Sequence, residues 1–441
     1  MKNFIVNILG IDKAVSWILI NRIWSILRGP ISIIFIIKYL SPEEQGLWYT
    51  FGSLAALTVF AELGFTVIIT QFVSHEYVNV RLKSGFIVGK KLYVDKLFSL
   101  IRYAIKFYLV VVPVAITILS IAGFYFFNSE QKYVVAAWFI FSVISGVNLL
   151  VSLLQSIYQG LDKVVDIQKN IFIGAFIMSI FRWLILSFGY GIWSLIIGDG
   201  FGVILMSFLL FRRAQKFWQQ LIRHKNTHIF TWNHEIINLQ WKYAISWASG
   251  FFIFNLYTPM LFKFENAVVA GQFGLTMSII NMISMTSGAW IDAKIPKMNM
   301  LVARRKREEL LHLFKSACFR GYLFFIGISP LFIMAVYLLQ KYNFYSERFL
   351  ELKYTLLLIS THLAIITIGF LAKYLRAHKM EPYYWLSIIN GILIGFLLLY
   401  LLPRIGVNLC LILNLTIYWL FLLPIAISIF LKVKKELDYE K

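Results

Sequence analysis

Long apolar runs separated by short polar breaks repeat along the whole chain. Most exceed 18 residues with few charges, and a helix needs about 20 residues, at 1.5 Å each, to cross hydrocarbon. Twelve spans are predicted, at about 16–40, 46–72, 103–127, 133–158, 169–188, 191–211, 241–262, 267–291, 317–340, 354–374, 383–402 and 407–431. The first two carry polar stripes. Asn21, Ser25, Arg28 and Ser32 recur at i, i+4, i+7 and i+11, on one helix face, and Thr58, Glu62, Thr66 and Thr70 repeat every four residues. A stripe containing a cation cannot face lipid, so both are expected to line part of a hydrophilic cavity.

The composition agrees: 60% of the 441 residues are hydrophobic and the mean hydropathy is +0.75, above the usual soluble range. The expected fold class is all-α, a polytopic membrane protein with 12 transmembrane helices in two six-helix lobes around a central cleft. Met1 to Asp12 lack a small-residue cleavage site, and an interfacial lead-in is expected there rather than a secretory signal. Cys318 and Cys410 fall in spans and read as buried small hydrophobes.

A net charge of +21 raises nucleic acid as a partner, but the distribution of the charge argues against it. With the N-terminus inside, most of the 42 Lys+Arg fall in cytoplasmic segments, as the positive-inside rule requires, and both termini are then cytoplasmic. Trp48 and Trp138 are expected in an outer aromatic belt. Between spans six and seven, Ala214, Phe217, Trp218, Leu221 and Ile222 oppose Arg213, Lys216, Gln220, Arg223 and His224, which predicts an amphipathic helix lying on the anionic inner leaflet. Arg304 to Arg307 read as a solvated, lipid-steering run.

Pro113 and Pro330, Gly160 and Ala377, and Gly174 and Gly391 share an offset of 217 residues, and Gly46 and Gly271 one of 225. The implied division is an N-terminal lobe at 1–211, an amphipathic linker at 212–240, a C-terminal lobe at 241–431 and a cytoplasmic tail at 432–441, the lobes being parallel repeats.

Charges within spans default to functional candidates. Arg182 lies eight residues before Tyr190 and Asp199 nine after it, so both sit roughly 12 to 14 Å below the same outer turn and could pair. The same arithmetic puts Arg22 level with Glu62. Each pair reads either as a self-neutralising structural contact or as cargo ligand with counter-ion. Arg28 has no carboxylate at its level on the adjacent span, which makes it the first candidate for an anionic cargo, with Asn21 and Ser25 beside it. Arg320 is expected to snorkel, and His362 to be a satisfied interior histidine.

Other strings carry less. Gly198 and Gly202 at GxxxG spacing read as close helix packing, not as a dinucleotide loop. His234-Glu235 lacks the second histidine of a zinc-protease helix, and His224 and His228 lack a further ligand, so no metal site is expected. There is no P-loop for ATP and no recognisable nucleophile with its base, so neither a cofactor nor an enzyme is expected.

The run from Tyr39 through Ser41-Pro42-Glu43-Glu44-Gln45-Gly46 to Trp48, followed by Phe60-Ala61-Glu62-Leu63-Gly64-Phe65, resembles the opening of the polysaccharide-transport family. These are the Wzx-type O-antigen flippases of the multidrug/oligosaccharidyl-lipid/polysaccharide exporter superfamily. Gly271-Gln272-Phe273-Gly274-Leu275 resembles the start of the second lobe. As sequence the resemblance covers the first two spans, and as architecture the whole length; twelve spans rather than fourteen argue against a lipid II flippase.

The resemblance implies translocation of an undecaprenyl-diphosphate-linked oligosaccharide, an O-antigen or other polysaccharide repeat unit, across a bacterial inner membrane by alternating access. Arg28, then Arg182 and Arg22, would contact the diphosphate, since guanidinium grips phosphate oxygens through paired donors. Glu62 and Asp199 would be counter-ions or protonatable couplers. H+ or Na+ as coupling ion, anionic inner-leaflet lipid and polysaccharide polymerase machinery are the further partners implied. The rivals are a cation-coupled drug exporter of the same superfamily, expected to carry mainly acidic intramembrane charges, and a membrane-embedded glycosyltransferase or polymerase, expected to carry a large outer loop or a soluble domain.

Overall fold

The computed structural model describes residues 13–128, 130–228, 230–232, 236, 244, 248–378, 380 and 382–439. The lead-in Met1 to Asp12 and the His234-Glu235 string lie outside these. Among the described residues, nine helical stretches are long and apolar enough to cross a membrane, and a bent helix pair makes a tenth. The last stretch, Tyr384–Leu437, has 54 residues, about 81 Å of helix against about 30 Å of hydrocarbon. It breaks at Gly406 (φ 72°, ψ 172°) and is two spans. The expected run 241–262 lies partly outside the described residues; its described part is helical at 248–254 and over Tyr257–Phe264.

The chain divides into two compact units, residues 1–40 with 54–248, and residues 41–53 with 249–441. This division differs from the expected boundary at residue 211 in two respects: residues 212–248 fall with the first unit, and residues 41–53, the opening of the second span, fall with the second.

In the first unit, α1 (Lys13–Tyr39) is followed, beyond residue 53, by a short 3-10 turn, α3 (Val59–Glu62) and α4 (Phe65–Tyr77); α2 (Pro42–Ala55) precedes them and begins in the other unit. The second span was expected to be continuous. It breaks at Leu63 and Gly64, both left-handed (φ 52° and 72°), and the two halves of the span meet at 49°. A β-hairpin that the apolar pattern did not announce follows, β1 (Val80–Lys83) and β2 (Phe86–Gly89). It turns at Ser84 and Gly85, both at positive φ, as a tight hairpin requires. Then come α5 (Lys91–Phe127), α6 (Lys132–Gly160), α7 (Val164–Ser187), α8 (Trp193–Arg213) and α9 (Gln215–Arg223).

Helix α9 is the expected amphipathic segment, but most of its apolar face meets protein, and of that face only Ile222 is exposed. Phe217, Trp218 and Leu221 are buried in one core with Phe65, Phe98, Ile101, Leu153 and Ile157. The Gln220 amide closes the contact as a surrogate strand residue, accepting from Ile87 N at 2.7 Å and donating to Ile87 O at 2.9 Å. Trp138 also departs from expectation. It is buried, donates from Nε1 to Leu119 O at 2.8 Å, and serves the core rather than an aromatic belt, as does the buried Trp48.

The second unit contains the opening of α2, α10 (Tyr257–Phe264), α11 (Ala267–Asp292), α12 (Ile295–Ala303), α13 (Arg307–Lys341), α14 (Leu352–Ala377), α15 (Tyr384–Phe396), α16 (Leu402–Thr416) and α17 (Leu423–Tyr439). The two glycines that open the paired motifs touch each other. A Cβ on Gly46 would lie 1.9 Å from Ala267 O, and one on Gly271 2.7 Å from Gly46 N. The close backbone crossing of α2 and α11 therefore demands glycine on both helices. Gln45 locks it, donating from Nε2 to Gly271 O at 2.9 Å and Arg348 O at 3.1 Å.

Candidate functional site

Arg28, Arg182 and Asp199, three of the intramembrane charges of the first unit, lie on α1, α7 and α8. Helix α1 lies along α7 through aromatic rings: Trp24 packs on Phe172, Phe176 and Trp183, and Phe35 stacks on Trp183. Two positions of the polar stripe serve this contact. Asn21 donates to Gln168 Oε1 at 2.8 Å and to Gln168 O at 2.9 Å, and Ser32 Oγ accepts from Trp183 Nε1 at 3.0 Å. The other two do not: Ser25 is exposed and Arg28 half-buried. The stripe is thus partly structural, and Asn21 is engaged with protein.

Arg182 and Asp199 pair as their common depth predicted. Arg182 Nε donates to Asp199 Oδ1 at 2.7 Å, and Nη2 reaches the same oxygen. The small residues of α8 permit it. A Cβ on Gly198 would stand 2.3 Å from Arg182 Cγ and 2.9 Å from Met178 O, and one on Gly202 3.0 Å from Met178 Cβ. The GxxxG spacing therefore lets α8 approach α7 closely enough for the ion pair to form. Arg28 lies within electrostatic reach of both partners but makes no ion pair of its own among the described residues. It stands eleven residues before Tyr39, about 16 Å down the helix and near the membrane middle. Among the described residues, two guanidiniums thus stand near one carboxylate, Arg182 in contact with it and Arg28 within electrostatic reach, at a depth where charge is costly.

The expected contact between Arg22 and Glu62 is not formed. Arg22 is exposed. Glu62 sits at the break in the second span, where its carboxylate accepts from Thr66 Oγ1 and lies beside the Tyr108 hydroxyl. Equal depth fixed how far each residue lies into the membrane, but not which way around its helix it points. Thr70 joins α4 to α6, with Oγ1 3.3 Å from Ser156 O.

Two clusters escaped the sequence reading. His224 and His228 do find a third group, Asp95 on the overhanging start of α5. The buried Asp95 carboxylate lies 2.6 Å from His224 Nε2 and 2.8 Å from His228 Nδ1, and accepts from Thr227 Oγ1 at 2.7 Å. Arg102 holds the same segment by Leu221 O at 2.6 Å and Asn226 Oδ1 at 2.8 Å. This latch fastens the chain after α9 to α5. No group of three or more His, Cys, Asp or Glu among the described residues is placed to hold a metal ion.

In the second unit, Lys373 Nζ lies 2.8 Å from Asp292 Oδ1, joining α14 to α11. The sequence analysis does not single out Lys373; the signal that would have found it is its place within the apolar run 354–374. His362 is buried as expected, its Nδ1 donating to Leu358 O at 2.9 Å.

The chain matches no family model and no curated protein sequence. Solved structures do share its architecture. One described as protein A has a TM-score of 0.59 at 14% identity, over 95% of this chain and 94% of that one. A multidrug resistance MATE family transporter of the MOP superfamily, in its inward-facing conformation, has a TM-score of 0.53 at 10% identity, over 93% and 99%. MATE in complex with MaL6 gives 0.50 at 11%, over 98% and 99%. At these identities the likeness concerns the fold, and the chain is an all-α polytopic membrane protein with the architecture of MATE transporters.

Proposed function

We propose that this chain is a flippase that carries an undecaprenyl-diphosphate-linked oligosaccharide from the inner to the outer leaflet of a bacterial inner membrane by alternating access, with both termini cytoplasmic. The observation that supports the reading is that, among the described residues, Arg28 lies within electrostatic reach of the Arg182–Asp199 pair, so that two guanidiniums stand near one carboxylate. A diphosphate is a compact anion suited to that pair of cations, and guanidinium meets phosphate oxygens with paired donors.

In this scheme Asp199 holds Arg182 in position while the carrier is empty, sparing the guanidinium from standing uncompensated in a low-dielectric setting. Arriving phosphate is bound by Arg28 and competes with Asp199 for Arg182, and its departure restores the internal pair. The rings of Trp24, Phe172, Phe176 and Trp183 supply flat apolar faces beside the charges against which sugar rings can stack. Arg22 and Ser25, exposed on the same helix, extend the polar surface toward the end of α1 that the basic loops mark as cytoplasmic. Glu62, at the break in the second span, and Asp199 are the candidate couplers to H+ or Na+.

A second reading has its own support: the MATE transporters that share the fold include a multidrug resistance protein, which favours a cation-coupled exporter of small molecules. The two readings part at Arg28. Surface polysaccharide in a deletion strain complemented with Arg28→Ala is expected to be lost at normal protein level and partly recovered with Arg28→Lys. Wild-type polymer in the Ala strain would remove Arg28 from the mechanism and favour the exporter.

A further inference from the structure

Helix α9 buries most of its apolar face, whereas the β-hairpin beside it keeps one face open. In an antiparallel ladder, residues paired across the strands share a face, and successive pairs alternate between the two faces. The pairs here are Val80 with Gly89, Arg81 with Val88, Leu82 with Ile87 and Lys83 with Phe86. Val80 and Ile87 are buried in the core of the first unit, so the alternate pairs look outward. Each outward pair sets a cation beside an apolar side chain, Arg81 beside Val88 and Lys83 beside Phe86. All four are exposed, Val88 by 54% and Phe86 by 41%.

The hairpin is held at a definite depth. Helix α8, Trp193–Arg213, has 21 residues, about 31 Å, which matches about 30 Å of hydrocarbon. Arg213 therefore reaches the edge of the hydrocarbon on the side of the basic loops, and α9, which starts two residues later, begins in the headgroup layer. The hairpin turn rests on this first turn of α9. A Cβ on Gly85 would stand 3.1 Å from Lys216 Cβ, and Lys216 Nζ lies 5.7 Å from the centre of the Phe86 ring. Gln220 brackets Ile87, and Leu82 N donates to the Tyr77 hydroxyl at 3.2 Å. The strands are thus fixed on their protein side, and docking the outward face would order little further chain. The surface is cationic: Lys90 and Lys91, both exposed, follow the hairpin. The acids nearest to it in sequence are already paired, Glu76 with Lys96 at 2.7 Å and Asp95 with His224 and His228.

We infer that the outward face of the hairpin docks on the anionic headgroup surface of the leaflet on that side, with Phe86 and Val88 at the boundary of head groups and acyl chains and Arg81 and Lys83 against lipid phosphates. Cations and apolar side chains interleaved at headgroup depth match a lipid surface, which offers phosphate and hydrocarbon side by side. The inference needs only a membrane-spanning chain and is independent of the cargo proposed above.

The test uses the full chain with Cys318→Ala and Cys410→Ala and one added thiol, Val88→Cys or Phe86→Cys, carrying a nitroxide label, in vesicles of phosphatidylglycerol or of phosphatidylcholine. Electron paramagnetic resonance compares collisions of the label with oxygen, which concentrates in the bilayer, and with a water-soluble nickel chelate. In phosphatidylglycerol the label is expected to meet oxygen in preference to the chelate, and in phosphatidylcholine the chelate in preference to oxygen. Arg81→Gln and Lys83→Gln are each expected to lower the ratio of docked to free hairpin in phosphatidylglycerol about fivefold, the share of one surface cation. Should a label at one position unsettle the hairpin, read as a lower melting temperature, the other position carries the test. A label reached by the chelate equally in both lipids would overturn the inference and leave the face to a soluble partner. A label shielded equally in both lipids, or an unchanged ratio in both Gln variants, would overturn the assignment to an anionic surface.

Discussion

The two units carry the same punctuation but treat interior charge differently. In the first, among the described residues, Arg28 and Arg182 stand near the one carboxylate of Asp199. In the second, Lys373 and Asp292 answer each other one to one, and the interior histidine His362 is satisfied by a backbone carbonyl. A balanced pair between helices can be explained by packing alone. An unbalanced one at mid-membrane depth calls for an anion from outside the chain. Under the proposed function, the contrast would place cargo chemistry at the Arg28, Arg182 and Asp199 group of the first unit and leave the Asp292–Lys373 contact of the second a structural one.

The largest expected effect comes from removing the surplus charge. Arg28→Ala is expected to lower transport about 10- to 100-fold, the loss of one or two charge-assisted hydrogen bonds to phosphate, in a protein that still inserts and melts normally. In the second unit, the double variant Asp292→Leu with Lys373→Met should stay within about 1 kcal/mol of wild-type stability and keep transport, since a well-packed apolar pair replaces a balanced ionic one. Transport assays on the two variants side by side would break the comparison if their ranks were reversed.

Removing one member of the shared group comes next. Asp199→Asn leaves two guanidiniums without their carboxylate and is expected to cost about 1–3 kcal/mol, read as a lower melting temperature that added diphosphate partly restores. Gly198→Ala should act on the same pair through sterics. Its methyl meets Arg182 Cγ and Met178 O, and overpacking of this kind costs about 1–3 kcal/mol. The smallest effect on transport is expected from Asp95→Asn, which weakens a carboxylate latch remote from the charged site. It should lower the melting temperature by the equivalent of about 1–2 kcal/mol and expose the segment after α9 to proteolysis, while the rate per folded molecule is kept.

What the sequence disclosed follows from what its periodicities measure. Residue counting from a common turn gives depth, and it placed Arg182 opposite Asp199 across the two-helix hairpin at Tyr190, where a short connection leaves little freedom of partner. For Arg22 and Glu62 the same counting gave depth without azimuth or neighbour, and α1 turned Asn21 and Ser32 toward α7 while Arg22 stayed exposed. The break in the second span was signalled only by Gly64, two residues past Glu62, and the apolar pattern runs through it unchanged. That residues 41–53 join the second unit depends on the crossing of Gly46 with Gly271, a contact 225 residues apart that no local pattern announces. The apolar face of α9 was legible as a face, but a helix moment does not say whether protein or lipid covers it. Asp95 lies 129 residues from His224, so two histidines one helical turn apart looked incomplete until the fold supplied their carboxylate.

The most direct test of the central claim is a leaflet-translocation assay in proteoliposomes with a fluorescent polyprenyl-diphosphate-linked disaccharide, comparing wild type, Arg28→Ala and the Asp292→Leu/Lys373→Met double variant at equal protein density. The charge comparison predicts probe reaching the far leaflet with the wild type and the double variant and a rate about 10- to 100-fold lower with Arg28→Ala. Undiminished translocation by Arg28→Ala, or its loss in the double variant alone, would contradict the claim that the surplus guanidinium of the first unit carries the cargo.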